Sequence, residues 1–284
     1  MPRYNEFPSS QIPESLIAEI AKKLHSYSTA LIKLAPNSNN EAGMELKGSG
    51  SLVAIENVHG ILTAHHVANE FTHTDQLGLT FMEAEHRYQI PWQHIRHVEI
   101  ASPENGVYGP YGPDLSFLVI PDAYIGTIKT YRSFYLLKRR DDRTIIENDQ
   151  EAKRDPWFVC GTIGERSTDE KPGRGFSKVK GLYGLAGMSF AEKIYEKGGF
   201  DYVEVKAERR PDDTPQSYGG ISGGGLWRVP LIINGKGVVS VKQYELAGVA
   251  FYQTELDNGF RFLRCHGPNS LQITHRVVMQ IVKG

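Results

Sequence analysis

Three short segments of this chain hold the residues best suited to chemistry. Gly219-Gly220-Ile221-Ser222-Gly223-Gly224-Gly225 sets a serine among glycines. Neighbours without side chains let a carbonyl approach the hydroxyl and let backbone N–H groups turn toward one point, which suits nucleophilic attack; a glycine-rich turn is the plainer reading. Upstream, Gly60-Ile61-Leu62-Thr63-Ala64-His65-His66-Val67 is a strand-like run ending in two histidines. A histidine at a strand end can serve as a general base because its ordinary pKa lies near neutrality, although such pairs also serve structure or surface. Between these segments, Pro113-Asp114-Leu115-Ser116-Phe117-Leu118-Val119-Ile120 puts an aspartate at the mouth of an apolar strand. A carboxylate buried there needs a hydrogen-bond donor, and an imidazole N–H is a suitable one; capping of the strand entry is the alternative.

Gly220-Ile221-Ser222-Gly223-Gly224 also satisfies Gly-x-Ser-x-Gly, the nucleophile elbow of α/β-hydrolases. An elbow needs a helix after the serine and then an acid and a histidine. Here three glycines would open that helix and Pro230 would interrupt it. The stretch beyond Ser222 offers His266 and His275 but no parallel βαβ pattern, so the elbow reading fails. His94 and His97 lack a third ligand at metal-site spacing, and neither a metal nor an organic cofactor is expected.

The elements that must position these residues are mostly short strands. Apolar or alternating runs at 29–34, 50–55, 60–63, 76–82, 115–120, 157–163, 201–207, 238–242 and 245–253 are separated by Gly, Pro, Asn and Asp. Asn234-Gly235 and Asp257-Asn258-Gly259 read as hairpin turns, flanked by Val229–Ile233 and Phe260–Leu263. Residues 13–27 carry Leu16, Ile17, Ile20, Leu24 and Tyr27 on one helical stripe. A closing helix shows Leu271, Thr274, Val277, Val278 and Ile281 on one face, with Asn269 and Gln272 as its cap pair. Loops are expected at 102–112, 139–155, 167–175 and 208–217, the second being a boundary between halves, with Arg209-Arg210-Pro211-Asp212-Asp213 a solvated loop.

Composition sets the outer limits. The 284 residues are 40% apolar, 10% aromatic and 23% charged, which is ordinary for a globular protein with a sizeable core. Lys+Arg 32 against Asp+Glu 33 leaves a net charge of -1, giving no electrostatic footprint for nucleic acid. No apolar run is long enough for a membrane span, and the start lacks the apolar core of a secretory signal. Cys160 and Cys265 sit in apolar stretches typical of buried thiols, so a reducing, cytoplasmic setting is expected.

Taken together, Thr63-Ala64-His65-His66-Val67, Asp114-Leu115-Ser116-Phe117-Leu118 and Gly220-Ile221-Ser222-Gly223-Gly224 resemble the three active-site motifs of the trypsin/chymotrypsin-like serine peptidases, in their order His, Asp, Ser. Gly48-Ser49-Gly50-Ser51-Leu52-Val53 is similar to the strand before the histidine motif, and Leu246-Ala247-Gly248-Val249-Ala250 to the strand that walls the specificity pocket. The resemblance spans about residues 28 to 282. It implies an all-β fold of two antiparallel β-barrels, 28–140 with His and Asp and 141–284 with Ser, plus an N-terminal helical extension, 1–27, and a C-terminal helix. It implies that His66, which precedes Val67, is the base, and His65 would then point the other way, as alternation along an extended chain requires. Asp114 would hold the His66 tautomer, Ser222 would be the nucleophile, and Gly220 and Ser222 N–H would form an oxyanion hole. Substrate-binding positions would be Gln216, Ser217, Phe251, Tyr252 and Gln253.

The chain also departs from that family. Ile221 stands where digestive members carry an aspartate that pairs with a new N-terminal amine, so activation by that clipping is not expected. Phe251 falls where a serine usually supports the buried aspartate, which must then find other donors. Gln216 and Ser217 point to an uncharged or mixed pocket. The expected function is a serine endopeptidase acting on protein or peptide substrates through an acyl-enzyme. The alternatives are a catalytically silent module of the same fold that binds a protein partner, and an esterase on the same three residues. The 13–27 helix is a candidate contact for a regulatory protein partner, or simply caps a barrel.

Overall fold

The computed structural model describes residues 12–36, 42–81, 87–139, 155–164, 168–170, 178–180, 183–207, 217–235, 237–256 and 260–283. The first half runs α1 (Glu14–His25), β1 (Ser28–Pro36), β2 (Ala42–Ile55), β3 (Val58–Thr63), α2 (His65–Asn69), β4 (Gln76–Thr80), β5 (Arg87–Pro91), β6 (Arg96–Ala101), β7 (Leu115–Val119), α3 (Asp122–Tyr131) and β8 (Tyr135–Leu136). The second half runs β9 (Trp157–Thr162), β10 (Thr168–Glu170), β11 (Lys178–Lys180), β12 (Tyr183–Ser189), β13 (Ala191–Lys197), β14 (Phe200–Ala207), β15 (Gly225–Arg228), β16 (Leu231–Ile233), β17 (Val239–Val241), β18 (Glu245–Gln253), β19 (Arg261–His266) and α4 (Pro268–Lys283).

The fold is mostly β, with two curled sheets. One has the order β5-β4-β1-β2-β3-β7-β6, antiparallel throughout, with β8 added parallel to β2. The other has the order β12-β9-β15-β18-β19-β14-β13 and is antiparallel throughout. Strands such as Leu115–Val119 and Trp157–Thr162 are buried on both faces, with Leu115, Phe117, Phe158 and Cys160 in one core and Leu118, Trp157 and Val159 in others.

One apolar core is shared by both sheets and both terminal helices: Leu16, Ile20 and Leu24 of α1, Val53 and Phe117 of the first sheet, Phe158 and Trp227 of the second, and Leu271 and Val278 of α4. Tyr27, just after α1, stacks on Trp227 at 5.4 Å, and Tyr135 meets both rings edge-on at 5.7 and 5.2 Å. Each well-placed aromatic contact adds about 1 kcal/mol to what burial of these rings contributes. The α1 stripe packs into this core, with Leu16, Ile20 and Leu24 all buried.

Several local expectations need correction. Residues 65–69 form a short helix, so His65 and His66 diverge through helical rotation and not through strand alternation. Helix α3 shows weakly in the sequence because Gly126 and β-branched Ile125, Thr127 and Ile128 lower its propensity; burial of Ile125 and Ile128 on one face overrides that. At α4, Asn269 lies inside the helix, and the capping acceptor is the carboxylate of distant Asp201, which takes the N–H groups of Asn269 and Ser270 at 2.9 and 2.7 Å. Residues 168–170 pair with 178–180 where a loop was expected. The Asn234-Gly235 turn joins β16 and β17, whereas Asp257-Asn258-Gly259 and 209–213 lie outside the described residues.

Candidate active site

The histidine segment comes from the end of β3. There the chain turns from extended Ala64 into α2, and the first-turn N–H groups of that helix need acceptors. Asp114, at the entry to β7, supplies one: its Oδ1 accepts the His66 backbone N–H at 2.9 Å, and its Oδ2 accepts His66 Nδ1–H at 2.5 Å. Asp114 is 3% exposed, so this two-point pairing is what makes its burial tolerable. With Nδ1 donating to the carboxylate, Nε2 is the ring nitrogen left free to accept a proton. The His66 side chain keeps 32% of its surface exposed, and the Tyr108 ring stands 5.7 Å from it.

His65 is spent on structure. Asn69 Nδ2 donates to its Nε2 at 3.1 Å, and its Nδ1 donates to Ser116 Oγ at 2.7 Å. The Ser116 hydroxyl in turn donates to His97 Nε2 at 3.0 Å, and the two imidazoles stack at 5.3 Å. Burial holds the pKa values of His65 and His97 below the ordinary value. This network pins α2 to β6 and β7, and therefore fixes His66 relative to Asp114.

The serine segment is a turn leading into strand β15, without a helix, which separates it from the nucleophile elbow. Gly220 and Gly223 adopt φ of 91° and 87°, conformations that favour glycine. A Cβ on Gly223 would overlap the Ser49 carbonyl oxygen and Thr63 Oγ1. Ser49, on β2, grips this turn from the first sheet. Its N–H donates to Ser222 O and its Oγ donates to Gly220 O, both at 2.7 Å, while Oγ also accepts Thr162 N–H of β9 at 2.7 Å. The place a Cβ would take at Gly48 lies 2.7 Å from a Val67 methyl and 2.8 Å from Ser222 O, so the serine backbone runs directly past α2.

Within the turn, Gly219 N–H donates to Ser217 Oγ, Ile221 N–H to Tyr218 O, Gly223 N–H to Ala250 O and Gly224 N–H to Ile221 O. The N–H groups of Gly220 and Ser222 have no acceptor among the described residues, nor does Ser222 Oγ make a hydrogen bond to the His66 ring there. Ile221 is buried against the second-sheet core with Tyr218 and Ile163, consistent with an aliphatic residue that forms no ion pair.

Of the positions expected to bind substrate, Ser217 is exposed. Gln253 Oε1 accepts Tyr218 N–H at 2.6 Å, and the Arg264 guanidinium lies 5.8 Å from the half-buried Tyr252 ring. Phe251 is 4% exposed, its ring 4.9 Å from His266 and 5.8 Å from Tyr202, so any contact with a substrate falls to its backbone. Gln216 lies outside the described residues. Sequence reasoning did not assign supporting roles to Ser49, Ser116, His97 and His266; Ser116 alone carries a local signal, as the one polar residue in the apolar run 115–120.

Cys160 and Cys265 are free thiols, fully buried, and burial pushes the pKa of Cys160 up to about 12 and that of Cys265 higher still, so neither is a nucleophile at neutral pH. No described helix is long and apolar enough to cross a membrane. No protein family model and no curated protein matches this chain.

Proposed function

We propose that this chain is a serine peptidase of the trypsin-like kind, acting on protein or peptide substrates. The observation that carries the reading is one juxtaposition: a histidine fixed through Nδ1 to a buried aspartate, beside a glycine turn in which the amides of Gly220 and Ser222 have no acceptor among the described residues. In this mechanism His66 Nε2 takes the proton from Ser222 Oγ as the oxygen attacks the scissile carbonyl carbon. Asp114 retains the imidazole tautomer and stabilises the imidazolium. The Gly220 and Ser222 N–H groups bind the developing oxyanion, each donor being worth about 3 kcal/mol in such sites. Collapse of the tetrahedral species breaks the C–N bond, and His66 returns its proton to the leaving amine. Water, deprotonated by His66, then hydrolyses the acyl-enzyme. The free thiols fit a reducing compartment.

A silent protein-binding module is the second reading, favoured by one observation: Ser222 Oγ is not hydrogen-bonded to the His66 ring among the described residues. Catalytic hydrogen bonds in free enzymes are often long and tighten on binding substrate. A fluorophosphonate probe separates the two. An active enzyme labels at Ser222 and loses the label in Ser222→Ala, whereas a silent module does not label at all. Turnover of nitrophenyl esters without cleavage of casein or peptides would assign an esterase instead.

A further inference from the structure

The site has a second histidine that the mechanism above does not use. His266, the last residue of β19, is fully buried, and its Nε2 accepts the backbone N–H of Asp114 at 3.0 Å. An acceptor at Nε2 requires the proton on Nδ1, and Nδ1 faces Ser270 Oγ at 3.3 Å. Ser270 Oγ donates onward to Asp201 Oδ1 at 2.7 Å, and Asp201 also takes the Asn269 and Ser270 N–H groups at the start of α4. The ring meets Phe200 edge-on and lies tilted against Tyr202 and Phe251, with centroids 5.7, 5.2 and 4.9 Å away. A polar chain thus runs from the first turn of α4 through Asp201, Ser270 and His266 to Asp114, and through its carboxylate to His66.

We infer that His266 is a positioning residue that seats Asp114, and through it His66, by accepting the Asp114 amide from the second sheet. The inference rests on the peptidase reading for its consequence, though not for its geometry. Asp114 immediately precedes β7, at the end of the irregular 102–114 segment, and the strand ladder of its own sheet does not begin until Leu115. A buried N–H at such a junction must find an acceptor, and this one finds it on the opposite sheet. Burying an imidazole among aromatic rings is unfavourable unless both nitrogens are engaged, and here both are. The Asp201 charge, accepting the Ser270 hydroxyl proton, makes Ser270 Oγ a better acceptor for Nδ1–H and so fixes the His266 tautomer. Phe251, in place of a hydroxyl, supplies the wall that keeps the ring in register with Asp114. The aspartate is therefore gripped from both sheets, its carboxylate by His66 and its amide by His266.

The test uses the full chain labelled with ¹⁵N. In wild type, His266 Nε2 should show the shift of an unprotonated acceptor with a through-hydrogen-bond coupling to the Asp114 amide; a protonated Nε2 would overturn the inference. His266→Gln keeps an acceptor at that point, whereas His266→Leu keeps volume and removes it. The downfield His66 Nδ1–H resonance should persist in the Gln variant and shift or broaden in the Leu variant. Acylation of Ser222 should fall about 10²-fold in kcat for Leu with KM nearly unchanged, and Gln should recover most of it. Equal His66 resonances in wild type and a folded Leu variant would refute positioning. Absence of wild-type Ser222 labelling would refute the peptidase reading alone, since the nitrogen shifts and the His66 resonance are read without turnover; if neither variant folds, the wild-type shifts decide.

Discussion

The two sides of the candidate site are held by different forces. On the first sheet, His66 and Asp114 are joined side chain to side chain, in a setting where the carboxylate is buried and both of its oxygens are engaged. On the second, the Ser222 turn is shaped by backbone: two glycines at positive φ, and a serine of the opposite sheet, Ser49, that binds two of its carbonyls. The His66 ring is therefore oriented by its pairing with the Asp114 carboxylate and the Ser222 turn by backbone geometry. Damage to the first should alter chemistry with little change in folding, whereas damage to the second should alter folding and chemistry together.

Asp114→Asn sharpens that contrast most. The amide would favour the wrong His66 tautomer while leaving the shape intact, so kcat should drop by about 10⁴ with a melting temperature close to wild type. A change of less than tenfold, measured on a peptide or ester substrate, would reduce Asp114 to a strand cap. Gly223→Ala attacks the other side. Its φ of 87° and the overlap with Ser49 O and Thr63 Oγ1 should lower stability by about 3 kcal/mol in urea titration, with activity falling in parallel.

The third prediction concerns pH. Burial holds the His266 pKa down at about 4, against an ordinary 6.5, so in the window between them the unfolded chain binds the proton and the folded chain does not. Stability should therefore be full above pH 6.5 and be lost as pH falls toward 4, by up to about 3 kcal/mol for this residue. His59, His65 and His97, also held low by burial, act in the same direction. Urea titrations at pH 7 and 4.5 should show a smaller loss in His266→Gln than in wild type; identical losses would contradict it. The smallest effect is expected for Ser49→Ala, which frees Gly220 O and Thr162 N–H and should reduce stability by about 1–2 kcal/mol and slow Ser222 labelling, while leaving the His66 Nδ1–H resonance in place.

Much of the architecture was legible because it is periodic. Leu16, Ile20 and Leu24 announce α1, Leu271, Thr274 and Val278 announce α4, and the apolar run 115–120 announces β7. The short helix at 65–69 was not legible, since five residues carry too little periodicity and strand-like Gly60–Thr63 runs straight into them. Helix α3 was missed because its propensity argues against it, and the α4 cap was misassigned because the true acceptor, Asp201, is distant in sequence. Phe251 could be read as a missing hydroxyl, but not as the wall of a histidine that takes over part of its task.

By itself the sequence determined which residues can react and in what order they occur, because nucleophile, base and acid are properties of side-chain type, and apolar periodicity is a property of short windows. Tertiary structure alone decided that Ser116 holds His65, that Ser49 grips the serine turn, and that His266 reaches the aspartate amide. Those contacts join residues tens to hundreds of positions apart. Their partners are chosen by where two sheets pack against one shared core, which no local stretch of chain encodes.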